Sequence, residues 1–227
     1  MEFKRWLGDA ELDEIRYGRT REDRGLSGKP TPLFGGGWRG YEMPEPPRNS
    51  SAETLSEIAA MLRRRGRLGE VARREIAAQD RGDLESIFVA LLEGFGEEVP
   101  PALRRLIPRV SSELATIGLH FKERFGRARP WQVMGAVGAR VAGKGRTTGS
   151  PSYPSNHALI GTFMALWLSS LYPRLRGELR MLGRSLGDNR NLGEFHYRSD
   201  VESGNELAEW LWARFGDRLG RAVGGGE

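Results

Sequence analysis

Apolar residues return along most of this chain at intervals of three and four. Leu55, Ile58, Ala59 and Leu62 form one such face, opened by Ser50 and Glu53 at the spacing of a capping box. Past the Gly66/Gly69 break, Val71 to Gln79 reads as a further helix. Leu84, Ile87, Phe88, Leu91 and Leu92 then make a stripe that ends before Pro100 and Pro101. Beyond Pro108, the residues Val110, Leu114, Ile117, Phe121 and Phe125 predict a long helix closing near Gly126. Further helices are predicted from about His157 to Leu171, Arg174 to Leu186 and His196 to Phe215. Val201, Gly204, Leu207, Ala208, Leu211 and Phe215 line one side of the last. No useful period-2 alternation and no internal repeat occurs, so the fold class is all-α, a single helical bundle domain.

The first fifty residues break this rhythm. SGKPTPLFGGGWRGYEMPEPPRNS concentrates the Gly and Pro punctuation, and only Glu11 to Tyr17 suggests a short helix. Phe34, Trp38 and Tyr41 are anchors that a floppy linker seldom carries, so the expectation is an ordered, irregular N-terminal arm packed on the body. The expected organisation is thus an arm over 1–50, a helical domain over 51–220 and a flexible tail over 221–227. Gly143 to Ser150 is a loop.

Composition narrows the function classes. The chain has 227 residues and no Cys, which removes a disulfide framework, a thiolate metal site and a cysteine nucleophile together. Its most apolar stretch, Ala158 to Tyr172, is shorter than the ~20 residues a bilayer core requires, so no transmembrane segment is expected. The opening MEFKRWLGDAELDEI carries no apolar run like that of a secretory signal. The expected location is therefore cytoplasmic, with periplasmic as the alternative. Net charge is +5, and only four of the 35 basic residues are Lys. Arginine grips phosphate or carboxylate with paired hydrogen bonds, though most of these side chains read as a solvated surface.

Histidine occurs only at 120, 157 and 196, and two of the three stand in unusually polar segments. In KERFGRARP, Lys122 precedes Arg129 by seven residues. That is almost two helical turns, which puts both cations on nearly one face, with Pro130 ending the helix behind them. In SYPSNHA, the residues Ser155, Asn156 and His157 lead into an apolar helix, where free amides and the dipole favour an anion. In DNRNLGEFHYRSD, Arg190 precedes His196, and Asp200 follows four residues later, a spacing at which a helical carboxylate can hold an imidazole N–H. Singly, these are a wet helix face, an N-cap and a surface pair. Jointly they put three cations, two His, a Ser and an Asp into three clusters.

Together the segments resemble the type 2 phosphatidic acid phosphatase and vanadium haloperoxidase superfamily. Its signature is K-x-x-x-x-x-x-R-P, P-S-G-H and S-R-x-x-x-x-x-H-x-x-x-D. Lys122, Arg129 and Pro130 match the first part, and Pro154, Ser155 and His157 the second, with Asn156 in place of Gly. Arg190, His196 and Asp200 match the third, with Asn189 in place of Ser. The soluble bacterial class A acid phosphatases carry the fullest likeness, which spans roughly 110–211. Asn is the non-glycine residue that best tolerates positive φ, so the turn is expected to survive, with the Asn156 side chain intruding on the pocket. Glu194 would repel a phosphate dianion and is expected to point outward or to pair with an arginine. His120 is expected to be structural.

The resemblance implies a metal-independent phosphatase acting on phosphomonoesters or pyrophosphates. His196 would be the nucleophile, Asp200 its orienting carboxylate and His157 the proton donor. Lys122, Arg129, Arg190, the Ser155 hydroxyl and the Asn156 amide would bind phosphate. No cofactor is implied, phosphate or vanadate being the occupants of such a site. The partner is a small phosphorylated substrate, no nucleic acid is expected, and the early amphipathic helices are candidates for homo-oligomer contacts. Two alternatives are a vanadate-dependent haloperoxidase, although those chains are much longer, and a non-catalytic helical module binding phosphate or nucleic acid.

Overall fold

The computed structural model describes residues 7–18, 28–80, 83–141 and 143–224. Among them run α1 (Asp9–Glu14), α2 (Ala52–Arg65), α3 (Glu70–Gln79), α4 (Leu84–Gly94), α5 (Pro101–Phe125), α6 (Pro130–Ala136), α7 (Asn156–Leu171), α8 (Arg176–Leu192) and α9 (Arg198–Gly224). Short 3-10 turns occur at Gly37–Gly40 and Pro173–Leu175. The described residues contain no strand, only an isolated bridge between Arg16 and Arg127.

Helix α7 is apolar around its whole circumference and forms the axis of the bundle, with α5, α8 and α9 packed about it. Gly161 of α7 and Gly183 of α8 let those two backbones touch. A Cβ on Gly161 would lie 2.7 Å from the Gly183 carbonyl oxygen, and one on Gly183 would lie 2.5 Å from that of Gly161. A second, smaller apolar cluster joins Leu12, Ile58, Ala128, Val133 and Tyr197.

Residues 28–49 are irregular yet tied down. Phe34 meets Phe163 and Phe215 edge-on, Tyr41 leans on Trp210, and the buried Trp38 indole N–H donates to Thr31 Oγ1 at 2.9 Å. Leu33 N–H donates to Glu113 Oε2, and Tyr153 O–H to the Pro44 carbonyl. The parts of the expected arm at 1–6 and 19–27 lie outside the described residues.

Several boundaries differ from the sequence expectation. Helix α5 begins at Pro101 and runs through Pro108, whose exposed ring stands where water can reach the carbonyl it leaves without a helical donor. Ser51, not Ser50, caps α2 by accepting from Thr54 N–H, whereas Ser50 binds Asp13. Helix α8 continues to Leu192 because its last polar residues face buried partners. Helix α9 runs to Gly224, which makes helix of the first part of the expected tail; 225–227 lie outside the described residues. The sequence pattern missed α6 altogether. None of the described helices is long and apolar enough to cross a membrane.

Candidate active site

The three polar segments converge between the two apolar clusters, and Lys122, Arg129, Ser155, His157, Arg190, His196 and Asp200 are each at most 8% exposed. The first segment arrives differently from its predicted course. Helix α5 stops at Phe125, and Gly126 turns the chain out in the left-handed conformation, φ 57°. Arg129 is therefore not on the Lys122 helix face. It occupies the N-cap position of α6 in extended conformation, with Pro130 as the first helical residue. The proline that reads as a stop is a start, since its missing N–H costs nothing there.

Both cations still reach one place. Lys122 Nζ donates to the carbonyls of Pro151 (2.6 Å) and Ser152 (3.1 Å). The Arg129 guanidinium donates to the Ser150 carbonyl (2.8 Å), the Phe195 carbonyl (2.8 Å) and His196 Nε2 (2.9 Å). From the last turn of α8, Arg190 donates to Asp80 Oδ1 at 3.0 Å and Thr147 Oγ1 at 2.7 Å, with its guanidinium 4.2 Å above the Phe195 ring.

Asp200 lies in the first turn of α9, whereas His196 precedes that helix. The ring and carboxylate therefore meet across a capping turn, not along a helix face as the spacing suggested. Asp200 Oδ2 accepts from His196 Nδ1 (3.2 Å), Tyr197 N–H (2.9 Å) and Ser152 Oγ (2.5 Å), and Oδ1 accepts from Arg127 (2.6 Å). Burial raises the Asp200 pKa. The Arg127 guanidinium, the His196 ring and the Ser152 hydroxyl overcome that and hold it well below the usual carboxylate range. An ionised Asp200 keeps the proton of His196 on Nδ1, leaving the Nε2 lone pair toward Arg129. Burial, and then the Arg129 cation, push His196 well below the ordinary histidine value.

Ser155 caps α7, accepting from Ala158 N–H at 3.4 Å while its own N–H donates to the Asp200 carbonyl. His157 stands one residue into α7, with Nε2 3.3 Å from the Gln79 carbonyl. A carbonyl only accepts, so Nε2 carries the proton. Burial, followed by the Arg190 cation, lowers His157 to about 3. Arg129 acts on both rings, joined by Arg190 at His157 and by Lys122 at His196.

Asn156 corrects a second expectation. It is the first helical residue of α7, has no positive φ, and turns its side chain away from the pocket toward α5. Its Nδ2 donates to the Ala115 carbonyl at 3.3 Å, and its Oδ1 lies over Gly118, where a Cβ would be 2.0 Å away. Glu194 does pair with an arginine. It is buried at φ 61°, and both of its oxygens accept from Arg65. His120 lies away from the site, its ring 5.0 Å from that of Trp38.

Four participants escaped the sequence reading: Arg127, Ser152, Asp80 and Thr147. Arg127 is buried against Asp200, Ser199 and Thr54 and stacks 4.1 Å over Tyr197. The Asp80 carboxylate accepts from Arg146 N–H, Thr147 and Arg190. Among the described residues no group of three His, Cys, Asp or Glu side chains gathers as a metal site.

Residues 110–215, which contain all three segments, match the PAP2 superfamily. Over 175 residues the chain is 30% identical to the non-specific acid phosphatase of Providencia stuartii, covering 73% of this chain and 69% of that one. The chain belongs to this superfamily. It is also 24% identical over 179 residues to the non-specific acid phosphatase of Salmonella typhimurium, covering 77% and 72% of the two chains. The superfamily match leaves the whole arm, α1 to α4 and the start of α5 outside it.

Proposed function

We propose that this PAP2 superfamily member hydrolyses phosphomonoesters without a metal, through a phosphohistidine on His196. One observation supports the reading above the others. His196 Nδ1 is committed to Asp200 while Nε2 meets the Arg129 guanidinium at 2.9 Å, so a nucleophilic lone pair and an oxyanion-binding cation share one point. Phosphoryl transfer needs positioning and charge neutralisation of the equatorial oxygens, which Lys122, Arg129 and Arg190 can supply. The Ser155 hydroxyl and the Asn156 N–H at the start of α7 add neutral donors.

In the first half-reaction the Nε2 lone pair of His196 attacks phosphorus, and the P–O bond to the alcohol breaks as the P–N bond forms. The acid form of His157 gives its proton to the departing oxygen. In the second, water returns a proton to His157 while its oxygen bonds to phosphorus; the P–N electron pair goes back to Nε2 and phosphate leaves. A phosphate dianion beside Arg129 and Arg190 offsets their repulsion of an imidazolium, which raises His157 from about 3 toward the range where it can hold that proton. Substrate binding therefore takes up a proton, and turnover is favoured at acid pH.

The test is phosphate release from a chromogenic monoester in EDTA, with alkaline quenching to retain an acid-labile P–N linkage. The expected result is activity insensitive to chelator, inhibited by vanadate, with label on His196 and none in His196→Ala. Chelator-sensitive turnover, or full activity in His196→Ala, overturns the proposal.

A further inference from the structure

The catalytic groups are almost sealed, so the alcohol part of a substrate has to be housed in a neighbouring space. A cavity of about 430 Å3 adjoins them, within the usual size range of small-molecule sites. Its walls include Leu68, Ile76, Leu192 and the Phe195 ring, with Arg73 and Lys144 among the lining residues. Phe195 belongs to both spaces: its carbonyl accepts from Arg129, and its ring carries the Arg190 guanidinium. A larger cavity of about 540 Å3, between α1 and the 45–49 segment, touches Arg127; neither histidine lines either cavity, and only the smaller one includes Phe195 and Asp80.

Direction decides between them. In an in-line displacement the leaving oxygen stands opposite the attacking nitrogen. If His196 attacks, the alcohol leaves on the side of His157, whose Nε2 faces the Gln79 carbonyl at the end of α3. The next residue, Asp80, forms part of the 430 Å3 cavity wall. Both acids that line this cavity are paired, Asp80 with Arg190 and Glu194 with Arg65. An apolar leaving group would thus meet apolar walls and no unpaired carboxylate, whereas a polyol would lose water there for few partners.

We propose that this cavity receives the leaving group and selects esters of apolar, ring-bearing alcohols over those of small polyols. The inference rests on the phosphatase reading above. Ala77, an exposed wall residue on α3, is the place to fill the cavity without disturbing the core. In Ala77→Trp, the ratio of kcat/KM for 2-naphthyl phosphate to that for glycerol 2-phosphate should fall about tenfold relative to wild type. Titrated alone in a calorimeter, 2-naphthol should bind wild type and lose that binding in Ala77→Trp. A ratio held within twofold, or naphthol binding that the tryptophan leaves intact, overturns the assignment. If wild type hydrolyses neither ester, the phosphatase reading itself fails, and the naphthol titration still decides whether the cavity accepts a ring.

Discussion

The two histidines of the site are buried alike and depressed alike, yet they are held in opposite ways. His196 is backed by a carboxylate with four donors on it, among them the buried guanidinium of Arg127. His157 has a backbone carbonyl, that of Gln79, 3.3 Å from its Nε2 and no carboxylate behind it. A nucleophile has to present one lone pair in one direction through every turnover, which suits a fixed ring and tautomer. A proton carrier has to change state twice per cycle, and a lightly tethered ring beside two cations responds to the arrival and departure of a dianion.

The comparison breaks most readily at Asp200. Asp200→Asn should lower kcat by about 10^3–10^4-fold, because the amide no longer enforces the Nδ1–H tautomer. Steady-state kinetics on a folded variant check this, and a loss below tenfold would make the two histidines equivalent. Arg127→Met reaches His196 indirectly. It should cost about 3–5 kcal/mol of stability by leaving Asp200 buried without its cation, read in denaturant unfolding. It should also move the acid limb of the rate profile to higher pH, since Arg127 is the largest influence lowering Asp200.

His157→Gln should reduce kcat on an alkyl phosphate by about 10^2–10^4-fold. The loss should be much smaller on a nitrophenyl ester, whose leaving oxygen needs little protonation. His196→Ala should be equally inactive on both; equal losses in the two histidine variants would erase the distinction between them.

Smaller effects sharpen the picture. Gly118→Ala should cost about 1–3 kcal/mol, because the new methyl collides with Asn156 Oδ1. Asn156→Gly in that background should restore the stability, which a thermal-unfolding cycle of the four proteins would show. A gentler effect is spread along the pH scale. His157 falls from an ordinary 6.5 to about 3 in the fold, so between those values the unfolded chain binds more protons than the folded one. Stability therefore rises with pH through that window and is lost on acidification. His157→Gln should flatten the dependence of Tm on pH from 6.5 downward; an unchanged slope would place the acid sensitivity elsewhere.

Much of this site was visible before folding because its residues stand in short segments at fixed spacings. Lys122, Arg129, Ser155, His157, Arg190, His196 and Asp200 could be named from the chain, although their roles remain a proposal. The paths were less legible. Lys122 and Arg129 read as one helix face because the αL turn at Gly126 competes with a helical period that continues past it. Arg127 was passed over because a lone arginine in a short connecting segment reads as solvated surface, and nothing local says that it turns inward beside Arg129. Asp80 lies 110 residues before its partner Arg190, and no local signal joins them.

By itself the sequence determined the helical class, the aromatic anchoring of the arm and the identity of the charged groups, since periodicity and residue chemistry are local properties. Only the tertiary structure decided that Asn156 turns toward Gly118, that Arg65 takes up Glu194 and that Arg127 fixes the carboxylate behind His196. Each of these depends on which distant backbone leaves room for a side chain and which buried charge must find its counterion, and packing alone settles both.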